Sequence, residues 1–436
     1  MLKIVPKTLK GEVAVPPSKS VSHRALICAS LAEGVSVLDN VLMSEDIIAT
    51  KEAICAFGAT VEEQVVDAEK EIYRLKVKGT GGALKRPETT LWCNESGSTL
   101  RFLIPFGGLI DGEVRFDGGG RLPFRPLDPY FDLFAASGMA FQFPEGRYLP
   151  LTVDGKWSPG LYELPGDVSS QFVTGLLYAL PLLEGSSTVH VTSPLESKAY
   201  VDMTLGEMKR FGVDVTEKDG DYIVTGPKTY KACRTVIEGD YSQGAFWLVA
   251  SLLGEGIVCF QLSENSAQGD RVMVDIIRNM GGHVVYREGS WLAKPGKTRG
   301  AEIDVTQCPD LVPILAVLAA LSQGTTRIVG AKRLRIKESD RLKAMAESLN
   351  AVGGKVQEMA EGLVIEGVSQ LKGGVVDSHG DHRIAMAMAI ASMRSQEPIF
   401  IKNPMSVTKS YPHFYEDFKA LGGDLQWVQP GATTFK

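Results

Sequence analysis

The chain has 436 residues, too many for one ordinary domain and enough for two that each bury a core. Lys and Arg total 46 against 52 Asp and Glu, a formal charge of −6, which argues against nonspecific nucleic-acid binding; any anion site must be a local gathering of basic side chains. Six cysteines, Cys28, Cys55, Cys93, Cys233, Cys259 and Cys308, form no C-x-x-C pair and mostly lie in apolar runs, as expected of reduced thiols in a reducing compartment. Residues 1–15 alternate charged and apolar types and lack the unbroken apolar core of a signal peptide, and the longest nearly apolar run, Leu311 to Leu321, is too short to span a bilayer. The expectation is a soluble, cytoplasmic protein.

In chain order, the first element is an extended N-terminal strand, ended by Pro16 and Pro17 because proline cannot continue a ladder. Ser18-Lys19-Ser20-Val21-Ser22-His23-Arg24 then opens an apolar helix, 25–32, with serines of the kind that cap helices. Lys19 and Arg24 do not fit a plain helix start, which is electropositive already. An anion bound there removes the conflict; a solvated basic pair on a surface turn is the other reading.

The same order recurs six times: a polar leader, a nearly all-apolar helix, then a β-rich stretch. The apolar runs are 25–32, 100–110, 172–183, 245–253, 311–321 and 384–393. A second, amphipathic helix follows each, closed by glycine: Gly58, Gly138, Gly212, Gly281-Gly282, Gly353-Gly354 and Gly422-Gly423. A helix apolar all round is buried and an amphipathic one covers a surface. The pattern predicts an α/β fold of two similar domains, each of three repeated β-α-β-α-β-type units with buried helices inside, an inside-out α/β barrel. If the six buried helices point their N-termini at one inter-domain cleft, that cleft is electropositive before any side chain is counted.

Several leaders carry chemistry-bearing residues. Lys332-Arg333-Leu334-Arg335-Ile336-Lys337-Glu338-Ser339-Asp340-Arg341 opens the amphipathic helix that ends near Leu349. Lys337 and Arg341, four apart, are expected to share a face, with water or an anion between their charges, and Glu338 is placed to pair with Arg341; a solvated, salt-bridged helix start explains the same residues. In Ser378-His379-Gly380-Asp381-His382-Arg383 the histidine spacing suits a metal, but the adjacent cation opposes one, so Arg383 reads as an anion ligand and the histidines as caps. Arg125 follows the glycine run Gly118-Gly119-Gly120, which lets backbone approach a ligand. Lys409 is a lone lysine in a turn. Ser169-Ser170-Gln171 offers uncharged hydrogen-bonding groups at a buried helix start, for capping or for a polyhydroxylated or phosphorylated ligand. Asp310 is an acid among bases, at another buried helix start: either a cap, or an ionised carboxylate suited to take a proton from a hydroxyl.

Pro17-Ser18-Lys19-Ser20-x-Ser22-x-Arg24, Leu334-Arg335-Ile336-Lys337-Glu338-Ser339-Asp340-Arg341 and Gly380-Asp381-His382-Arg383-Ile384-Ala385-Met386 together resemble the signatures of the 5-enolpyruvylshikimate-3-phosphate synthase family, and the likeness runs from Lys3 to about Phe418. The resemblance implies an N-terminal lobe of residues 18–237 and a C-terminal lobe of 1–17 plus 238–436, with crossovers near 18 and 239. It implies transfer of the enolpyruvyl group of phosphoenolpyruvate to the 5-hydroxyl of shikimate 3-phosphate with release of phosphate, by a monomer needing no cofactor, metal or nucleic acid. Lys19 would contact both substrates and belong with Asp310 and Glu338 to the catalytic set. Ser20, Arg24, Ser169, Ser170, Gln171, Ser197, Asp310 and Lys337 resemble the shikimate 3-phosphate site, and Gly97, Arg125, Arg341, Arg383 and Lys409 the phosphoenolpyruvate site. Asp310 matches the acid that accepts the hydroxyl proton, and Glu338 the one that handles protons at the methylene carbon. Glu95 and Phe102 stand where many members have asparagine and proline, and Arg333 where some have asparagine. Gly97 is retained, which implies sensitivity to substrate mimics such as glyphosate.

The nearest rival is the sibling transferase acting on UDP-N-acetylglucosamine, which commonly carries a cysteine in the glycine-rich loop; residues 118–124 contain none. An RNA-end-processing protein on similar repeats is disfavoured by the acidic total. A noncatalytic repeat scaffold would not need cations at helix N-termini.

Overall fold

Each apolar run lies largely in an α-helix and the short 3-10 turn that adjoins several of them, and most of the helices start earlier than the runs do. In the computed structural model, which describes residues 1–429, one compact unit spans residues 17–238 and a second combines 1–16 with 239–436. Residues 430–436, where the expected second domain ends, lie outside the described residues. Each unit has its own apolar core.

The unit of residues 17–238 contains α1 (Lys19–Leu31), α2 (Glu45–Ala56), α3 (Gly97–Leu103), α4 (Asp128–Ala136), α5 (Ser170–Ala179) and α6 (Lys198–Arg210). The odd-numbered helices are the apolar ones: α1 is buried from Val21 to Leu31, and Gln171 is the one residue of α5 not buried. They begin in their polar leaders because the first N–H groups of a helix have no partner inside it. Ser18, Ser96 and Ser169 cap α1, α3 and α5, each side chain accepting a backbone N–H.

Three four-stranded sheets complete this unit. In each, a first strand pairs in parallel with a second, and a hairpin adds two antiparallel strands, as in Leu161–Leu164, Gly185–Val191, Asp221–Gly226 and Thr216–Lys218. A parallel pair needs a crossover, which the apolar helix supplies; the hairpin needs none. The repeat is therefore β-α-β-α-β-β, with one strand more than the sequence pattern asked for. The first repeat takes its parallel strand, Arg234–Val236, from the far end of the unit.

The second unit repeats this plan with α7 (Tyr241–Leu253), α8 (Met273–Asn279), α9 (Val312–Ala320), α10 (Arg341–Ala351), α11 (His382–Ala391) and α12 (Phe414–Ala420). All of α7, α9 and α11 is buried. The expected single N-terminal strand is in fact two, in different sheets. Leu2–Val5 lies between Ile399–Lys402 and Asp424–Trp427, antiparallel to both, and Gly11–Ala14 runs parallel to Ile257–Phe260. Pro6, which has no N–H to give a ladder, follows the first.

The six glycines that close α2, α4, α6, α8, α10 and α12 all have positive φ: Gly58 +107°, Gly138 +68°, Gly212 +81°, Gly281 +88°, Gly353 +88° and Gly422 +99°. A side chain there would be strained, which is why glycine recurs at this one place in every repeat. Among the described residues no helix is long and apolar enough to cross a membrane.

Candidate active site

The polar leaders supply two groups of candidate functional side chains, one in each unit. In the unit of residues 17–238, Lys19 is the first residue of α1 and its Nζ lies 2.7 Å from Asp46 Oδ2 on α2. The anion that relieves this cation at a helix start is thus a protein carboxylate. Arg24, one turn on and buried, donates from Nε to Thr204 Oγ1 (2.9 Å), from Nη1 to the Ser20 carbonyl (2.8 Å) and from Nη2 to the Tyr200 carbonyl (2.8 Å). Its charge also lies 5.3 Å from the Phe102 ring centre and 5.8 Å from that of Tyr200. Ser197, at the left-handed φ of 56°, heads α6, the helix that carries Tyr200 and Thr204. Ser20, Arg24 and Ser197 are thereby tied through one helix.

Gly97 opens α3 directly against Arg125: a Cβ at Gly97 would fall 2.7 Å from Arg125 Nη1. Glycine is needed there so that the guanidinium can approach the backbone. Gln171, the second residue of α5, accepts from Arg101 Nη1 (2.8 Å) and donates to Ser98 Oγ (3.0 Å), linking the starts of α5 and α3. Ser169 caps α5 and Ser170 is buried in its first turn. Glu95 lies over Gly120, whose missing Cβ leaves room for its carboxylate. Phe102 stacks edge-on against His23 and Tyr178.

In the other unit the groups converge on Asp310, in the turn Pro309–Leu311 before α9. Its carboxylate lies 2.9 Å from Arg341 Nη1, 3.1 Å from Arg383 Nη2 and 3.6 Å from Lys337 Nζ. Arg341 also donates to Glu338 Oε2 (2.9 Å) and, through Nε, to Asp381 Oδ2 (2.7 Å). Arg383 Nη1 donates to the Asp310 carbonyl (3.2 Å), and Lys409 Nζ to the Gly380 carbonyl (2.7 Å) next to Asp381. The expected Glu338–Arg341 pair forms, but the expected shared helical face of Lys337 and Arg341 does not. Lys337 has extended backbone, α10 begins only at Arg341 with Asp340 as its cap, and the anion between the two cations is Asp310.

Burial and charge set the proton affinities. Burial would lower that of Arg341, but Asp381, Glu338 and Asp310 together raise it above the ordinary value. Burial would raise that of Asp381, yet the Arg341 charge holds it below the usual carboxylate range. Lys337 is pushed down to about 8, by burial first and by the Arg341 charge as well, against the pull of Asp310. Asp270, buried and bonded to the Ser242 hydroxyl in the first turn of α7, is pushed up to about 6 by burial and then by the Asp310 charge, with Arg383 opposing.

Asp46, Asp270 and Asp381 did not stand out as functional residues in the sequence. Asp381 had a visible signal, as a cap type before α11, and it does accept the Arg383 N–H at 2.9 Å. Asp46 and Asp270 had none, because their partners lie in other elements. His379 is partly exposed, with Nε2 3.7 Å from Glu347, while His382 is buried beside Asp381. Among the described residues, no three His, Cys, Asp or Glu side chains are grouped to hold a metal ion.

A family model described as EPSP synthase (3-phosphoshikimate 1-carboxyvinyltransferase) matches residues 4–418. Curated relatives carrying the name 3-phosphoshikimate 1-carboxyvinyltransferase include one from Clostridium novyi (strain NT), 47% identical over 429 residues, and one from Clostridium kluyveri, 49% identical over 432 residues; each match covers 98% of both chains. Among solved structures, an EPSP synthase from Acinetobacter baumannii aligns with a TM-score of 0.80 at 27% identity, over 98% of this chain and 99% of that one. The enolpyruvyl transferase NikO from Streptomyces tendae shares the fold, with a TM-score of 0.75 at 17% identity over 98% of each chain.

Proposed function

Because the chain belongs to the EPSP synthase family, we propose that it transfers the enolpyruvyl group of phosphoenolpyruvate to the 5-hydroxyl of shikimate 3-phosphate, releasing phosphate, in the biosynthesis of chorismate and the aromatic amino acids. The observation that carries this reading is the Asp310 cluster: one carboxylate held by Arg341, Arg383 and Lys337 at the start of a buried helix. Two phosphates and a carboxylate must be held together against their repulsion. One close charge pair contributes only about 4 kcal/mol at an effective dielectric of 20, so several cations are needed.

In this proposal Lys19, Ser20, Arg24, Ser169, Ser170, Gln171, Ser197, Asp310 and Lys337 hold shikimate 3-phosphate, and Lys19, Gly97, Arg125, Arg341, Arg383 and Lys409 hold phosphoenolpyruvate. Asp310 takes the proton of the attacking hydroxyl, and Glu338 handles the proton at the methylene carbon. The cationic character that develops at the reacting carbon is stabilised by the same carboxylates. The protein works as a cytoplasmic monomer without metal, nucleotide or nucleic acid. Its six thiols, none bonded to another, support a reducing compartment.

A coupled phosphate assay on chelator-treated protein tests the reaction. Release is expected with phosphoenolpyruvate and shikimate 3-phosphate together. Release with UDP-N-acetylglucosamine in place of shikimate 3-phosphate, and none with the latter, would overturn the assignment.

Two further results are expected. In Gly97→Ala the new methyl would fall 2.7 Å from Arg125 Nη1, so the guanidinium must move. KM for phosphoenolpyruvate should rise about tenfold, as for one lost charge-assisted hydrogen bond, with KM for shikimate 3-phosphate little changed. Steady-state kinetics with each substrate varied decides it; an unaltered phosphoenolpyruvate KM would remove Arg125 from that site.

Lys337 is the second case. With its proton affinity at about 8, Lys337 is an ammonium below that pH and increasingly neutral above it. If the ammonium binds phosphate, kcat/KM for shikimate 3-phosphate falls above about pH 8, and Lys337→Arg, always charged, loses that alkaline limb. A profile identical in parent and variant would take Lys337 out of phosphate binding. On stability the sign is opposite. The depressed value means that burying the ammonium costs stability in full below pH 8, and that cost is relieved as pH rises toward the ordinary lysine range.

A further inference from the structure

His23, on α1 between Lys19 and Arg24, has no part in the chemistry proposed above, yet it is fully buried. Its Nδ1 lies 2.7 Å from Thr50 Oγ1 on α2. Thr50 Oγ1 lies 2.6 Å from Thr99 Oγ1 on α3, and Thr99 Oγ1 lies 2.8 Å from Ser96 Oγ, the cap of α3. Both threonine hydroxyls also face the Asp46 carbonyl, but at 3.3 and 3.4 Å, too long to compete with the shorter contacts. At the other end of the chain, His23 Nε2 has no hydrogen-bond partner among the described residues.

Each hydroxyl carries one proton, and when each gives it to the next short contact the chain runs in one direction. If it runs from Ser96 to His23, Nδ1 accepts and Nε2 becomes a buried N–H with nothing to receive it. If it runs from His23 to Ser96, Nδ1 donates and Nε2 is a bare lone pair. A buried N–H without an acceptor is the rarer and costlier arrangement. The second direction also agrees with Ser96 Oγ as an acceptor, since it takes the Thr99 N–H at 3.1 Å. A second proton on the ring is opposed by burial, and then by the charges of Lys19 and Arg24.

We propose that His23 is a positioning residue. As the neutral, Nδ1-protonated tautomer it starts a one-way hydrogen-bond relay through Thr50 and Thr99 to Ser96. The relay joins the helix that carries Lys19, the helix that carries its partner Asp46 and the cap beside Gly97, and so sets Lys19 and Arg125 for phosphoenolpyruvate. The role rests on the transferase reading above; the tautomer does not.

Nitrogen NMR of the labelled full chain reads the tautomer. The chain has six histidines, and the ring signals absent from His23→Asn identify the one in question. They should show Nδ1 protonated and Nε2 bare, unchanged between about pH 5.5 and 8, where an ordinary histidine titrates. An Nε2-protonated ring, or one that titrates in that range, would overturn the relay.

Kinetics read the positioning. His23→Leu should raise KM for phosphoenolpyruvate about tenfold and KM for shikimate 3-phosphate by clearly less, because Arg125 serves phosphoenolpyruvate alone while Lys19 serves both, with kcat within roughly twofold of the parent. His23→Asn, whose side-chain amide nitrogen replaces Nδ1 as donor, should recover most of that loss. Equal values for the Leu and Asn variants, or equal shifts in both KM values, would overturn the role. Thr50→Val breaks the relay with the ring intact and should reproduce the His23→Leu signature even if that variant does not fold; parental kinetics in Thr50→Val would also overturn it. Absence of transferase activity in the parent chain would overturn the functional reading and the positioning role together, and leave the tautomer to be judged by NMR alone.

Discussion

Asp310→Asn should fold and should turn over roughly 10³-fold more slowly than the parent at saturating substrates, the middle of the range for a lost general base. The substitution keeps the size and shape of the side chain but not its charge or its second acceptor oxygen. In the parent, the two carboxylate oxygens face Arg341 Nη1 at 2.9 Å and Arg383 Nη2 at 3.1 Å. The amide can accept from only one of them and turns its own N–H groups toward the other, so some stability is lost as well, about 1.5–3 kcal/mol for a hydrogen bond to a charged group. Thermal melting measures that part, and kcat at saturation measures the other. A variant that melts lower but keeps more than about a tenth of parental kcat would leave Asp310 as a brace for the cations and remove it from proton transfer.

Arg341→Met should cost about 3–5 kcal/mol of stability at neutral pH, the range for breaking a buried ion pair from one side. The Arg341 side chain is 1% exposed and binds Asp310, Glu338 and Asp381, and the Asp381 side chain is fully buried. Removing the cation leaves these carboxylates with less counter-charge, and leaves Asp381 so in a place that water does not reach. The pH dependence tests the cause. In the parent, Asp381 is held below the usual carboxylate range, so its contribution is full above that range and lost only as pH falls through the lowered value. In the variant the pull of Arg341 is gone and burial dominates, so the Asp381 carboxyl rises and protonation relieves it. Urea unfolding should therefore show a larger deficit at about pH 7.5 than at about pH 5. A deficit equal at both values would point to lost packing.

The repeats were legible because each leaves local marks: an apolar run, a polar leader and a glycine at the same place. The six helix-closing glycines need no tertiary knowledge, since their φ values follow from the turn alone. The Glu338–Arg341 pair was also legible from spacing, although the backbone between them is not the helix that the spacing argument assumed. What joins the repeats was not legible. Lys19 meets Asp46 across 27 positions, and Arg341 meets Asp381 across 40. Such distances carry no periodicity. The sequence also led to cations waiting for a bound anion, whereas carboxylates of the chain itself stand against Lys19, Arg341 and Arg383. A carboxylate opposite a cation is common on any surface, so nothing in the letters marks the ones that matter.

The strand Leu2–Val5 is an inner strand of its sheet, with Leu2 opposite Trp427. Leu2–Val5 therefore cannot reach its final pairing until Asp424–Trp427 has emerged from the ribosome. The stretch 17–238 needs nothing from outside itself to close its three sheets, so it can condense while the remainder is still being built. Closing a loop that long is not prohibitive, because each doubling of length adds only about 0.6 kcal/mol, but it is slow to find. Completion of the second unit thus waits on the synthesis of Asp424–Trp427, and a chain cut short before Asp424 would leave Leu2–Val5 with one ladder neighbour missing.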